Sequence, residues 1–384
     1  MTSTNGVQNS TTIEYNIHGL VGIRLINPTP SDAAAVAKQL GPVKGEIMGE
    51  ADITIRFFKH LEVKEIVYLG LNTCGFNDDG FWILKSKKKK AKVRIDFQQI
   101  GDRCEIHCES GLKAVPLLLH IVNLFMVKKD CVPLHASAFS YNGEDILVTG
   151  WAKGGKSEVL LAFAQHGARY IGDEWIYLQG DGKKMHGIPE NMRLWDWHLA
   201  QLPQVKKSIP PEKVRLFKSI HRLTFWLNKF GRRKGPFKML KYADEALPAL
   251  QRQLNVTMPP ETIFGKKCGP FSGVPGKVFF VASHSRSEVI VKPDSTDTIA
   301  RRMIASLEFE LMPFMEYYLA FRFAFPDKEN PFLENLPALQ YHILKRALFE
   351  KEAFAVYHPY PCCFDDLFSE MKNVLSNEKE AVPA

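Results

Sequence analysis

Eight residues, Gly150, Trp151, Ala152, Lys153, Gly154, Gly155, Lys156 and Ser157, fit the spacing G-x-x-x-x-G-K-[ST]. Glycines let consecutive backbone N–H groups turn toward one anion, and a lysine and a hydroxyl placed directly after them reach phosphate oxygens and a magnesium ion. The chemistry this spacing allows is the binding of a nucleoside triphosphate. The N–H groups of Lys153 to Ser157 would then surround the β-phosphate at a helix N-terminus, where unpaired donors and the helix dipole favour negative charge. Lys156 would reach the β- and γ-phosphates and Ser157 would ligate magnesium. Lys153 either adds charge near the γ-phosphate or is a solvated loop lysine.

The pattern arises by chance in roughly one or two chains of this length per hundred, so the flanks decide. Before it, Glu144 to Thr149 is a short β-branched, apolar run; after it, Ser157 to His166 carries apolar residues at helical spacing, closed by Gly167 as a C-cap. The context is strand, loop, helix. Acids follow at once. Asp173 and Glu174 interrupt the strand-like stretch Arg169 to Leu178, which a crossover brings back beside the loop strand. In a regular strand the two would face opposite ways, whereas a bulge or a strand end turns both toward the phosphates. One carboxylate near magnesium and one near an acceptor hydroxyl would suit phosphoryl transfer; the bland alternative is a solvated acidic turn.

Three short runs, Pro133-Leu134-His135-Ala136-Ser137-Ala138, Gly155-Lys156-Ser157-Glu158 and Gly172-Asp173-Glu174, together resemble the bacterial HPr kinase/phosphorylase superfamily, whose nucleotide core is related to phosphoenolpyruvate carboxykinase. The resemblance implies an α/β fold with a P-loop core of that type, binding ATP and Mg2+ through Gly150, Lys153, Gly154, Gly155, Lys156, Ser157 and Glu158. It implies Asp173 as the base on an acceptor hydroxyl, Glu174 with Ser157 as magnesium ligands, and His135 beside Lys156 as an orienting or charge-stabilising group. On its residues alone, His135 reads equally as a packed strand histidine. Pro189 to Trp195 resembles a Pro-x-x-x-Arg-Leu-Trp segment of kinase-like relatives, with Arg193 a phosphate or substrate contact or a surface arginine. Two features depart from the pattern. The Arg-Gly-x-Gly signature of the HPr-specific enzymes is missing downstream of the acid pair, and residues 200–262 match nothing in the family.

The expected activity is thus an ATP-dependent kinase acting on a hydroxyl, of Ser or Thr in a protein or peptide or of a small molecule. The competing reading is a nucleotide-binding regulatory or assembly protein with little or no transfer; a carboxykinase-like reaction comes third, for want of anion-binding arginines. Classical relatives are hexamers, so a homo-oligomer is an expectation from the resemblance alone.

The chain that must position these residues is ordinary in composition: 384 residues, 45% hydrophobic, 24% charged, net charge +8. Much of that charge is local. Lys85 to Lys92 holds six lysines between two strand-like segments and reads as a solvated hairpin tip, with no aromatic interleaving to suggest nucleic acid. The seven cysteines form no C-x-x-C pair; along a strand, Cys104, Ile106 and Cys108 share a face and His107 takes the other, so reduced cysteines of a cytoplasmic protein are expected. Met1 to Thr12 lacks a signal pattern, and the longest apolar run, Val115 to Val127, is too short to span a bilayer.

Composition shifts divide the chain into a mostly β N-terminal domain (1–110), a kinase-like domain (111–345) with a basic helical insertion at about 200–262, and a helical C-terminal tail (346–384). Ser31 to Leu40 reads as a helix with Ser31 as N-cap, 111–127 as a buried helix, and 212–231 and 236–254 as helices of the insertion. Lys277 to Ala282 and Val289 to Val291 read as a late strand pair, and Asp297 to about Phe325 as a long helix. Arg232 to Lys241 reads as a solvated helix end that could alternatively meet a membrane or an acidic partner. Glu308-Phe309-Glu310 reads as part of a half-buried helix with no functional role.

Overall fold

A computed structural model describes residues 11–41, 43–86, 89–231 and 250–376. The fold is mixed α/β, built on two large sheets. The first holds β1 (Thr12–Ile17), β2 (Val21–Ile26), β3 (Ile53–Phe58), β4 (Val67–Leu69), β5 (Cys74–Asn77), β6 (Gly80–Ser86), β7 (Lys89–Ile95) and β8 (Cys104–Glu109), in the order β1-β2-β3-β8-β7-β6-β5-β4. Alternation sets its faces: Cys104, Ile106 and Cys108 are buried while Glu105 and His107 lie on the wetter side. Helix α1 (Pro30–Leu40) is capped by Thr29 rather than by Ser31. Thr29 Oγ1 accepts from the Asp32 N–H at 3.2 Å and Asp32 Oδ2 accepts from the Thr29 N–H at 3.0 Å, a reciprocal box that Pro30 at the first helical position reinforces.

Helix α2 (Leu118–Lys128) leads into the second sheet. Its strands are β9 (Cys131–Tyr141), β10 (Glu144–Gly150), β11 (Arg169–Gly172), β12 (Trp175–Gln179), β13 (Met185–Gly187), β16 (Ser272–Gly273), β17 (Pro275–Ser283), β18 (Ile290–Pro293) and β19 (Glu352–His358). The order is β16-β13-β12-β9-β10-β17-β19-β18, with β11 also on β9. A separate ribbon pairs β14 (Met192–Trp195) with β15 (Asn255–Met258). The stretch 169–178 returns beside β9, antiparallel, and not beside β10.

The second sheet is buried on both faces, which is why its strands read as continuous apolar runs. Leu147 and Val278 face α2 and the long helix Thr296–Ala324; Ile146, Val148, Phe279 and Val281 face helix α3 (Lys156–Gln165) and the C-terminal helix Phe364–Ser376. The boundary near residue 110 separates two sheets but not two cores, since one cluster joins Ile55 and Ile106 to Leu134 and Ile176. Asn330 is a polar tie across it. Its buried amide donates to the carbonyls of Phe97 and Ile100, both at 2.8 Å, while its Oδ1 accepts from the Phe332 N–H at 3.0 Å. Asn330→Ala is expected to cost about 3 kcal/mol, because buried carbonyls and a helix start lose their partners together; urea unfolding measures it.

Four expectations are corrected. The tail 346–384 is not simply helical: β19 sits between β17 and β18, parallel to the first and antiparallel to the second. Its Ala353, Ala355 and Val356 are buried, and so short an apolar run has no period of its own to distinguish a strand from a helix. For the same reason β17 and β18 are not a pair. The insertion is not wholly helical either: helix Pro211–Gly231 is present, but β15 returns to pair with β14. The buried helix starts at Leu118, not at residue 111. The expected helix 236–254 and the segment Arg232 to Lys241 fall mainly on 232–249, outside the described residues. No described helix is long and apolar enough to cross a membrane.

Candidate active site

The glycine-rich loop leaves the C-terminal end of β10, in the middle of the sheet, and turns into α3. Its path is set by backbone contacts. A Cβ on Gly150 would lie 2.4 Å from the Val281 carbonyl oxygen, so β17 and the loop approach as closely as only glycine permits. Gly155, at φ 110°, caps the helix, and a Cβ there would fall 2.0 Å from Nε2 of the buried His358. That imidazole, at the end of β19, lies 3.0 Å from the Gly154 carbonyl and braces the loop from below.

Lys156 is buried, and its Nζ donates to the carbonyl of Trp151 at 2.9 Å and to that of Gly150 at 3.3 Å. Burial lowers its pKa against the opposing pull of Asp173, Glu174, Glu310 and Glu158. The Ser157 hydroxyl donates to Asp173 Oδ2 at 2.9 Å. Lys153 stands exposed at the rim. Glu158 turns to the wall, 3.3 Å from His198 Nε2; burial acts to raise its pKa, but the hydrogen bond from His198 prevails and holds it below the usual range.

The two acids sit at a break between β11 and β12. Glu174 takes φ 71° and the Trp175 N–H donates to the Asp173 carbonyl at 3.0 Å, a reversal that brings both carboxylates to the loop side. Asp173 is 4% exposed and its pKa is pushed up to about 7, first by burial and then by the charge of Glu174, despite Ser157 and Lys156. Glu174 Oε2 is 3.2 Å from His135 Nε2, and the other ring nitrogen is 2.6 Å from Glu310 Oε1. Burial acts against charge on His135, but its bonds to Glu174 and Glu310 outweigh it and raise the pKa, while His135 in turn lowers the pKa of both acids.

Opposite lie Glu190, Arg193, Trp195, Thr257 and Tyr360, closing a cavity of about 750 Å³, within the usual range for a ligand of nucleotide size. Glu190 Oε1 is buried with no hydrogen-bond partner among the described residues, and burial followed by the charges of Glu174 and Asp173 pushes this pKa up to about 7. Arg193 is exposed at the cavity edge. The structure thus gathers His135, Lys156, Ser157, Asp173 and Glu174 around the loop, with Ser157 meeting Asp173 and Glu174 meeting His135.

Sequence reasoning missed four side chains. Glu310 had a signal: it falls on the face of the long helix defined by buried Met303, Leu307, Phe314 and Phe321, where a carboxylate needs a partner. Glu190 lay inside a segment already singled out for Arg193. His198 and His358 had none, since each depends on long-range pairing.

For magnesium, the Ser157 hydroxyl and the carboxylates of Glu174 and Asp173 offer hard oxygen donors of the right kind. Among the described residues no three His, Cys, Asp or Glu side chains converge as a metal cage.

Glu310→Gln is expected to make His135 titrate at lower pH, read by histidine NMR. Because the raised pKa stabilises the fold below the unfolded value and is lost as pH rises through the folded one, this variant should lose more stability at pH 6 than at pH 9. No protein-family model matches the sequence, nor does any curated protein.

Proposed function

We propose that this chain is a magnesium-dependent phosphotransferase with a P-loop core of the HPr kinase and phosphoenolpyruvate carboxykinase type, moving the γ-phosphoryl group of ATP to a hydroxyl. One observation carries the reading: buried Lys156 and the Ser157 hydroxyl, at the N-terminus of α3, face Asp173, whose pKa near 7 suits a base at neutral pH.

The loop N–H groups, on a backbone set by Val281 and His358, bind and orient the triphosphate, and Lys156 joins them by exchanging its bonds to the carbonyls of Trp151 and Gly150 for phosphate oxygens. Ser157 and Glu174 would hold magnesium, which would neutralise charge on the phosphates. Asp173 accepts the proton of the acceptor hydroxyl at a carboxylate oxygen, which transfer then leaves neutral. His135, drawn toward its charged form by Glu174 and Glu310, fixes Glu174 and would add positive charge near the transferring group when protonated. The cavity walls from β14 and β15 leave room for the acceptor.

The test incubates the protein with γ-labelled ATP, magnesium and lysate of its host, beside Lys156→Ala. Label on an acceptor, lost in the variant, is the expected result. Nucleotide binding that Lys156→Ala removes, with no acceptor labelled, would instead favour a nucleotide-controlled regulatory or assembly protein.

A further inference from the structure

The long helix Thr296–Ala324 buries one face and leaves a second, apolar one in solvent. Phe309, Met312, Leu319 and Phe323 are 44%, 52%, 63% and 75% exposed. With Glu316 they recur at intervals of three and four, a seam of about 21 Å at the helical rise of 1.5 Å per residue that passes Pro313, which sits inside the helix. The seam starts at the candidate active site. Phe309 lines the cavity and its ring lies 4.8 Å from that of Trp151, which belongs to the glycine-rich loop and is itself half exposed. The next residue, Glu310, holds His135.

The seam's charge identifies what fits it. Glu316 is exposed at its midpoint and Glu308 is exposed at its edge, and among the described residues neither has an ion-pair partner. A second copy of this chain fits poorly. A two-fold axis centred on the seam would set Glu316 against its own equivalent, and like charges across an interface are disfavoured. A helix with an apolar stripe and a Lys or Arg in the middle matches both the apolar spacing and the charge.

We propose that this seam docks a basic amphipathic helix of a protein acceptor, delivering the adjoining chain to the cavity past Phe309 and Trp151. The proposal rests on the phosphotransferase reading only in calling that partner an acceptor. Helix-in-groove anchoring of this kind uses residues at i, i+3 and i+7.

The probes are two fluorescent, stapled helical peptides of about 18 residues, enough to span the seam. Both carry leucines at the seam spacing, one with a central lysine and one with a central glutamate. Binding to the full chain is followed by anisotropy without nucleotide, so failure of docking and failure of phosphoryl transfer are read separately. The lysine peptide should bind at least tenfold more tightly than the glutamate peptide. Glu316→Lys should reverse that order, and Leu319→Ser with Phe323→Ser should weaken both at least tenfold. Binding by neither peptide, or a preference that Glu316→Lys leaves unchanged, would overturn the proposal. So would sedimentation showing a dimer that Leu319→Ser dissolves, which would assign the seam to a second copy.

Discussion

Asp173→Asn should reduce phosphoryl transfer about a thousandfold or more, the range for loss of a positioned base, while making the ligand-free protein more stable at pH 8. The two effects share one cause. Burial and Glu174 raise the Asp173 pKa from 3.8 to about 7, so ionising it in the fold costs on the order of 4 kcal/mol at pH 8. The sign follows from linkage. A group whose folded pKa is raised contributes stability below its unfolded value, near pH 4, and that contribution is lost as pH climbs through 7. Asparagine removes the penalty and keeps a carbonyl for the Ser157 hydroxyl, leaving a net gain of roughly 2 to 3 kcal/mol after the weaker hydrogen bond is counted. Thermal melts at pH 5 and pH 8 measure it: the stabilisation should be present at pH 8 and small at pH 5. Wild-type transfer should rise with pH as the carboxylate loses its proton, at a lower pH than in the magnesium-free protein because the cation favours the ionised form. A variant inactive yet no more stable at pH 8 would place the strain elsewhere.

Gly155→Ala should weaken nucleotide binding at least a hundredfold. The methyl group would meet His358 Nε2 at 2.0 Å, and the backbone at φ 110° disfavours any side chain. The loop must move, and its N–H groups lose their common focus; a strain of about 3 kcal/mol corresponds to that factor. Removing the clash alone should restore part of the loss. In the double variant Gly155→Ala, His358→Ala the methyl group has room, but the unfavourable backbone conformation persists, so affinity should recover incompletely. Calorimetric titration with a non-hydrolysable ATP analogue compares the three proteins. Full recovery would show that the clash with His358 is the whole effect.

The features legible in the chain were those carried by local spacing. Gly150 to Ser157, the strand before them and the helix after them lie within one short stretch, and glycine, lysine and serine at fixed offsets need no distant partner to be read. The acid pair was legible in its place but not in its conformation: a regular strand, a bulge, a strand end and a solvated turn were all open, and the reversal at Glu174, φ 71°, appears only in the fold. The side of the sheet to which the chain returns was not, because β11 and β12 could pair with either of two neighbours and only the finished sheet chooses β9. Glu310 illustrates a different failure. Its place on the buried stripe of the helix says that its carboxylate needs a partner, but not that the partner is His135, 175 residues earlier and 2.6 Å away. Helix 236–254 lies mainly outside the described residues.

The placement of β19 has a consequence for how the protein comes into being. His358, which braces the glycine-rich loop, is 204 residues beyond Gly154, so at typical synthesis rates the loop waits roughly ten to forty seconds on the ribosome for its support. In the later part of that interval, once Ser283 has been made, β17 presents an open strand edge in the middle of what will become the sheet. The nascent chain is therefore expected to be vulnerable to misassociation and unable to hold nucleotide until its final strand has been delivered. A premature stop between residues 158 and 352 would leave a chain that retains every residue of the loop but lacks the strand that supports it.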